Sequence, residues 1–263
     1  MLKVKGLVKR FNRGASEIAA LNGVNLHLKP GEFVTVIGSN GAGKSTLLNA
    51  IAGVYPVDCG HIILDDEEIT HRPEHRRACY LGRVFQDPAA GTAANMTIEE
   101  NLSLAITKGT QRGLRRGLHQ RQRKLFQEKL RVLDLGLENR LNDKVGLLSG
   151  GQRQALSLLM AVLVKPKLLL LDEHTAALDP KTATHILKLT EELIKQSNLT
   201  ALMVTHNLEQ ALRVGSRTIM MHEGQIILDI SGPKRTVMKV PDLLEQFNKV
   251  RGTDFVDDRA LLA

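Results

Sequence analysis

The sequence predicts an α/β protein in which a mostly parallel sheet is flanked by helices. Three short β-rich or apolar runs, at residues 33–37, 168–171 and 201–205, are typical of central strands that are buried on both faces. A helical stretch at residues 181–196 lies between the second and third runs. This alternation of strands and helices favours a parallel sheet with crossover helices.

The rest of the chain predicts two additions to this core. Residues 60–65 and their neighbours are typical of antiparallel strands, and residues 97–147 show helical patterns. We therefore expect an antiparallel β subdomain and a helical subdomain, at about residues 97–160, inserted into one domain of residues 1–230. Residues 220–227 predict a hairpin around Glu223 and Gly224. Residues 231–263 are expected to form a short tail with a helix at about residues 242–250.

Composition excludes several classes of protein. The 263 residues suffice for a large core, and 43% hydrophobic with 24% charged residues is ordinary for a globular chain. No apolar stretch approaches the ~20 residues that span a bilayer, and the N-terminus lacks the apolar segment of a signal peptide. The two cysteines, Cys59 and Cys79, suit a reducing cytosol and lack metal-ligand spacing.

The net charge of +8 arises mostly from one segment, residues 108–124. This basic segment contains Lys108, Arg112, Arg115, Arg116, Arg121, Arg123 and Lys124, and no acid. Because the basic bias is local and lacks interleaved aromatic residues, we do not expect binding to nucleic acid. Two interpretations stay open: a solvated face, or contact with anionic lipid headgroups.

A glycine-rich loop directly follows the first predicted strand. Residues 38–46 fit the pattern G-x-x-x-x-G-K-[ST], and residues 45–53 are predicted to begin a helix. Strand, loop and helix N-terminus together form an anion site, because backbone N–H groups and the helix dipole point at the ligand. This context disfavours a chance glycine-rich turn and predicts a P-loop NTPase core. Its predicted nucleotide-binding residues are Ser39, Asn40, Gly41, Ala42, Gly43, Lys44, Ser45 and Thr46.

Two acids, Asp172 and Glu173, end the apolar run at residues 168–171. Ligands bind at the carboxyl ends of strands in open α/β sheets, so Asp172 can help to hold Mg²⁺ there, as can the Ser45 hydroxyl. Glu173 is placed to polarise an attacking water. The alternative is that these acids cap the N-terminus of the following helix. The phosphate loop upstream favours the metal and base roles.

A second glycine-rich loop, L-S-G-G-Q at residues 148–152, lies about twenty residues before the acidic pair. Together with the phosphate loop and the acidic run, it makes the chain resemble the ATP-binding cassette (ABC) ATPases, the motor subunits of membrane transporters. The resemblance covers residues 2–230. It implies that Ser149, Gly150, Gly151 and Gln152 close over the γ-phosphate bound to a second copy of the chain. The alternative is an N-cap loop without a ligand.

The resemblance assigns further residues one by one. Gln86 corresponds to a glutamine that contacts the metal or the attacking water, and Asp179 lies in a loop that crosses between the two sites. His206, at the end of a strand, corresponds to the histidine that contacts the γ-phosphate and holds Glu173. Phe11 corresponds to an aromatic residue that stacks on adenine, although a place in the core is the alternative.

The sequence departs from the family at His174, where proline is usual. A titratable group beside the base could tune it electrostatically, or His174 could mark a subgroup. The surrounding residues 172–180 resemble a bacterial set of importer ATPases that serve small solutes, amino acids among them.

The resemblance therefore implies a transport ATPase with ATP and Mg²⁺ as cofactors. Two copies would form a head-to-tail homodimer at the cytoplasmic face of the membrane, with integral permease subunits and an extracellular solute-binding protein as partners. The alternative is an ABC ATPase that acts on nucleic acid or the ribosome. Such relatives usually have two cassettes in one chain or a coiled-coil insertion, and this chain has neither.

Overall fold

The computed structural model describes residues 1–13, 16–109 and 120–251. Two compact units share these residues. The first unit contains Met1–Arg77 and the chain from Thr200 onward, and the second unit is Ala78–Leu199. The predicted division into residues 1–230 and 231–263 stays a prediction.

The helices and strands alternate along the chain as the sequence predicts. The first unit begins with β1 (Leu2–Arg13), β2 (Ser16–Leu28), β3 (Phe33–Ile37), α1 (Lys44–Ala52), β4 (Cys59–Leu64), β5 (Glu67–Glu68) and α2 (Glu74–Arg77). The second unit contains β6 (Leu81–Val84), α3 (Ile98–Ile106), α4 (Gln120–Arg131), α5 (Gly150–Val162), β7 (Leu168–Asp172) and α6 (Pro180–Ser197), with 3₁₀ turns at Leu137–Asn139 and Val145–Leu147. The first unit resumes with β8 (Thr200–Val204), α7 (Leu208–Arg213), β9 (Arg217–His222), β10 (Gln225–Ser231), α8 (Pro233–Val237) and α9 (Val240–Arg251).

The antiparallel sheet of the first unit has the strand order β2-β1-β4-β5. Alternation along β1 places Leu2 and Val4 in the core and leaves Lys5 exposed, as the two-residue period of a strand requires. Leu2 pairs with Leu28 of β2 on one side and with Leu64 of β4 on the other. The antiparallel strands predicted near residues 60–65 are therefore present.

Parallel pairing dominates the other strands. In the first unit, β3 pairs in parallel with both β8 and β9, and β10 pairs antiparallel with β9 through the predicted hairpin. In the second unit, β6 and β7 are parallel. Every residue of β3 and β8 is buried, which explains their nearly unbroken apolar sequences. The predicted α/β fold class is confirmed.

The end of α1 is closed by a buried arginine. Arg77 is 2% exposed, and its guanidinium donates hydrogen bonds to the carbonyl oxygens of Ala50 (2.7 Å) and Ile51 (2.9 Å). The last carbonyls of a helix lack partners within the helix, so Arg77 supplies a donor to the Ile51 carbonyl and a second donor to the Ala50 carbonyl, which also accepts from the N–H of Gly53. Burial lowers the pKa of Arg77 to about 10, which leaves it charged at neutral pH.

The C-terminal helices pack on the first unit. Leu243 and Phe247 of α9 are buried in a cluster with Ile37 and Leu208. The Arg235 guanidinium donates to the carbonyl oxygens of Ala211 (2.8 Å) and Val214 at the end of α7, and to the hydroxyl of Thr218 (2.9 Å). The predicted helix at residues 242–250 is present and begins at Val240.

Most of the basic segment, residues 110–119, lies outside the described residues. Of its other members, half-buried Lys108 donates to the carbonyl oxygen of Leu81 (2.7 Å), and burial lowers the pKa of Lys108. Arg123 forms a 2.7 Å ion pair with Glu99 and a hydrogen bond to Asn142. Thus Lys108 and Arg123, two of the four cations of this segment that the structure describes, have partners within the protein. Within the described ranges, no helix has the length and apolarity needed to cross a membrane.

Candidate active site

The phosphate loop of the first unit has a backbone shape that only glycine adopts easily. Gly38 and Gly43 have φ angles of 147° and 98°, in the region that side chains disfavour. A Cβ at Gly38 would clash with the carbonyl oxygen of Met221, and one at Gly43 would clash with that of Ala20. These glycines allow the loop to curl tightly against neighbouring backbone.

Lys44 lies inside this loop. Its side chain is buried, and its ammonium donates to the carbonyl oxygens of Gly38 (2.7 Å) and Ser39 (3.1 Å). Lys44 is also the first residue of α1, one residue earlier than predicted, so its charge lies at the positive end of the helix. Ser45 is exposed beside it. Glycine cradle, ammonium and helix N-terminus together fit the phosphates of a nucleotide.

The Phe11 ring lies on β1, outside the buried core. It is half-exposed and stands edge-on to the ring of Tyr55, with 5.3 Å between centroids. The Lys9 ammonium lies 5.3 Å from the centroid of Phe11. The alternative that Phe11 is a core residue is therefore wrong. Sequence reasoning missed Lys9 and Tyr55, because nothing in the local pattern indicates that they meet Phe11.

His206 follows β8 and is half-buried. The neighbouring residues are fixed by hydrogen bonds: the backbone N–H of Asn207 donates to the Thr205 hydroxyl (3.1 Å), and the Asn207 side chain accepts from the N–H of Gln210 (2.8 Å). Asn207 is thus the N-cap of α7. The strand end and the helix cap together define the position of His206.

In the second unit, the acidic pair lies at the end of β7. Asp172 is the last residue of the strand, and Glu173 has a φ of 43°. Helix α6 begins at Pro180, and its N-cap is Asp179, which accepts from the backbone N–H of Thr182 (3.1 Å). Hydrogen bonds from Thr182 lower the pKa of Asp179. The alternative that the acidic pair caps this helix is therefore wrong.

His174 is 2% exposed, and its ring contacts α6. Its Nε2 lies 3.0 Å from the hydroxyl of Thr190 on α6, and this hydroxyl donates to the carbonyl oxygen of Ile186. Because the hydroxyl proton is used there, Nε2 of His174 is the donor. Burial lowers the pKa of His174 to about 4. The imidazole is neutral at physiological pH, so the hypothesis that its charge tunes Glu173 is wrong.

This buried histidine predicts an acid-sensitive stability. The pKa in the folded state lies below the unfolded value near 6.5, so the unfolded chain binds a proton that the folded chain excludes. Stability is therefore unaffected above about pH 6.5 and falls as the pH drops toward 4.

Between pH 7.5 and 4.5, we expect the free energy of unfolding of His174→Gln to fall by about 2–3 kcal/mol less than that of the wild type. Denaturant unfolding measures this difference, with exposed His27→Gln as the control that should behave as the wild type. Equal losses in the wild type and His174→Gln would contradict the buried, neutral state.

The second glycine-rich loop is the N-terminus of α5. The Ser149 hydroxyl accepts from the backbone N–H of Gln152, and the Gln152 side chain accepts from the N–H of Ser149, both at 3.2 Å. This capping box leaves Ser149 and Gly150 exposed at the helix start. The hydroxyl that serves as a cap still has a proton to donate. A Cβ at Gly151 would clash with the methyl group of Thr182, so the Thr182 side chain on α6 would have to shift to admit any other residue there.

Gln86 follows β6 and is exposed. The carbonyl oxygen of Phe85, the preceding residue, accepts a hydrogen bond from Nε2 of Gln154 on α5 (3.1 Å). Sequence reasoning missed Gln154. The available signal was a single amide in the mostly apolar run that follows residue 153.

Known proteins are similar to this chain over most of its length. A family model described as "ABC transporter" matches residues 21–176. The chain is 46% identical over 248 residues to the tyrosine transport ATP-binding protein of Clostridioides difficile (strain R20291), which covers 94% of this chain and 98% of the relative. It is 38% identical to the aliphatic sulfonates import ATP-binding protein SsuB of Albidiferax ferrireducens, over 87% of this chain and 73% of the relative.

A solved structure agrees with these sequence matches. It is the dimeric, post-hydrolysis state of the ATP-binding cassette MJ0796 bound to ADP and phosphate. The TM-score is 0.75 at 33% identity, over 88% of this chain and 98% of the other.

A phosphate loop after one parallel strand and an acidic pair after another define a P-loop nucleotide-binding protein. The chain belongs to the ABC transporter family, and its class is that of ATPases coupled to transport. This confirms the resemblance drawn from the three motifs. The roles of the individual residues remain predictions.

Proposed function

We propose that this chain is the ATP-hydrolysing subunit of a bacterial importer for a small solute of the amino acid class. The observation that supports this most strongly is the 46% identity to a tyrosine transport ATP-binding protein, because the alignment spans almost all of both chains. Aromatic amino acids are the first candidates for the solute. The alternative, an ABC ATPase that acts on nucleic acid or the ribosome, has no comparable support.

In this proposal, the phosphate loop binds the nucleotide through backbone N–H groups and Lys44. Glu173 orients and deprotonates the attacking water, and His206 holds the γ-phosphate and the water in place. Ser45, Gln86 and Asp172 are the residues whose oxygens would hold Mg²⁺. When bound, Mg²⁺ would neutralise charge on the β and γ phosphates. Hard oxygen donors of this kind suit Mg²⁺.

The proposed partners are integral permease subunits and an extracellular solute-binding protein, with this chain peripheral at the cytoplasmic face. Contact between the basic segment and anionic lipid is a further part of the proposal. This contact would rest mainly on cations other than Lys108 and Arg123, which have protein partners.

Reconstitution tests the transport role. The chain is expected to co-purify with its polytopic membrane partner and, in proteoliposomes with the solute-binding protein, to drive ATP-dependent uptake of labelled tyrosine or phenylalanine. An aliphatic sulfonate and thiamine serve as comparison solutes. Uptake of a comparison solute alone would exclude the amino acid class, and co-purification with RNA instead of a membrane protein would exclude transport.

A mixing experiment tests the proposed head-to-tail dimer. Ser149→Arg should leave ATP binding intact but prevent dimer closure, because a bulky cation replaces the exposed helix cap. A heterodimer of Ser149→Arg and Lys44→Ala has one site with both lesions and one with neither, if each site is built across the interface. We therefore expect the mixture to regain some of the ATPase activity that each variant lacks.

Matched cap variants control for helix stability. Thr97 caps α3 with a capping box like that of Ser149. Ser149→Ala and Thr97→Ala should each cost about 1 kcal/mol of stability, but only Ser149→Ala should slow turnover.

In the mixing experiment, an inactive mixture of Ser149→Arg and Lys44→Ala would indicate that each site is built within one chain.

A further inference from the structure

Gln154 is a buried amide that joins two backbone carbonyls beside the proposed catalytic residues. Its Nε2 lies 2.6 Å from the carbonyl oxygen of His174 and 3.1 Å from that of Phe85. Phe85 directly precedes Gln86, and His174 directly follows Glu173. All of these residues belong to the second unit. We call Gln154 with these two carbonyls the carbonyl clamp.

The orientation of the Gln154 amide follows from its partners. Carbonyl oxygens only accept hydrogen bonds, so the NH₂ group, with its two donors, must face both of them. Gln154 is 0% exposed, and its Oε1 is buried without a hydrogen-bond partner in the described part of the chain. A buried unpaired acceptor is unfavourable for stability, so stability alone does not explain a glutamine at this position.

Glu173 needs such support. Its φ of 43° is uncommon for a residue with a side chain, and such conformations persist where the surrounding structure fixes them. The backbone N–H of Ala176 donates to the Glu173 carbonyl (2.9 Å) on the far side of the turn. His174 is held at its ring by Thr190 and at its carbonyl by Gln154. Hydrogen bonds thus take the place of the ring constraint that proline would supply.

From this geometry we propose that Gln154 is a positioning residue for ATP hydrolysis. The carbonyl clamp fixes the backbone beside Glu173 relative to the backbone beside Gln86. The proposed base and Gln86 therefore stay at a constant distance from each other. Since Ser149 is the N-cap of α5, the clamp also ties this spacing to the helix whose N-terminus is the proposed trans-acting loop. The inference rests on the proposed roles of Glu173 and Gln86.

Gln154→Met tests the clamp, because methionine keeps the length of the side chain without its donors. We expect kcat for ATP to fall roughly 10- to 100-fold, since small misplacements of catalytic groups have effects of that order. The Kd for ATP should stay unchanged, because the phosphate loop belongs to the other unit. Leu158→Ala is the matched control: it removes buried side-chain volume from the same helix, and the leucine side chain has no donor for either carbonyl. It should lower the unfolding temperature but retain near wild-type kcat.

A double-mutant cycle separates positioning from general damage. If Gln154 acts through Glu173, Gln154→Met should slow single-turnover hydrolysis little further in a Glu173→Gln background. Wild-type kcat in Gln154→Met, a loss matched by Leu158→Ala, or an additive loss in the double variant would each overturn the clamp. Wild-type turnover in Glu173→Gln alone would instead remove the proposed base, which distinguishes the two failures.

Gln154→Glu provides a second variant should the methionine variant fold poorly. Its carboxylate would face two carbonyl oxygens when ionised but can donate one hydrogen bond when protonated. Burial raises the pKa of such a carboxyl. We therefore expect its kcat, relative to the wild type, to rise as the pH falls from 8 to 6. A ratio that stays as low as that of Gln154→Met throughout this range would contradict the clamp.

Discussion

Glu173→Gln should retain ATP binding and slow hydrolysis by about 10²–10⁴-fold, because positioned general bases contribute factors of that size. The amide keeps the shape of the side chain at the end of β7 but cannot accept the proton of the attacking water. Since the ATP-bound state is no longer consumed, the variant should also accumulate as a dimer. Phosphate release measures the rate, and size-exclusion chromatography with ATP measures the dimer.

The control for this substitution is Glu128→Gln, which neutralises an exposed acid on α4. It should hydrolyse ATP as fast as the wild type and elute with ATP as the wild type does. Hydrolysis by Glu173→Gln at the wild-type rate would show that another group activates the water.

Lys44→Ala should abolish nucleotide binding at ordinary ATP concentrations. The ammonium is buried in the phosphate loop, where contacts with two phosphates would be charge-assisted hydrogen bonds worth about 1.5–3 kcal/mol each. Their loss corresponds to a decrease in affinity of roughly 10²–10⁴-fold. Isothermal titration calorimetry with ATP measures the affinity directly.

Loop damage must be distinguished from loss of the phosphate contacts, because Lys44 also donates to the carbonyl oxygens of Gly38 and Ser39. Thermal unfolding of Lys44→Ala without nucleotide reports the first effect, and Lys195→Ala, an exposed cation on α6, is the control for charge. An unchanged affinity for ATP would refute the assignment of the loop.

The sequence predicts the parts of the site that depend on short patterns. The glycines of the phosphate loop can be predicted because their backbone conformation disfavours other residues. Strand β7 can be predicted because a strand that is buried on both faces must be apolar. The N-cap of α6 was harder to place, since Asp172, Glu173 and Asp179 are all acids near its start. Only the backbone shows that Asp179 is the one that accepts from Thr182.

Contacts between distant residues could not be predicted in this way. Gln154 reaches Phe85 across 69 positions and His174 across 20, and no local pattern encodes either contact. The protonation of His174 was unpredictable for the same reason. Its pKa depends on burial between helices, which the identity of the residue does not reveal.

The contacts of Arg235 determine where this protein can be shortened. A chain ended after β10 would lose the guanidinium that donates to the carbonyls of Ala211 and Val214 at the end of α7, the helix that follows His206. It would also expose the apolar side chains that Leu243 and Phe247 cover, and contiguous exposed apolar surface favours aggregation. For affinity tags, fusion partners and minimal fragments, the C-terminal boundary therefore belongs after α9, although every recognisable nucleotide motif ends at His206.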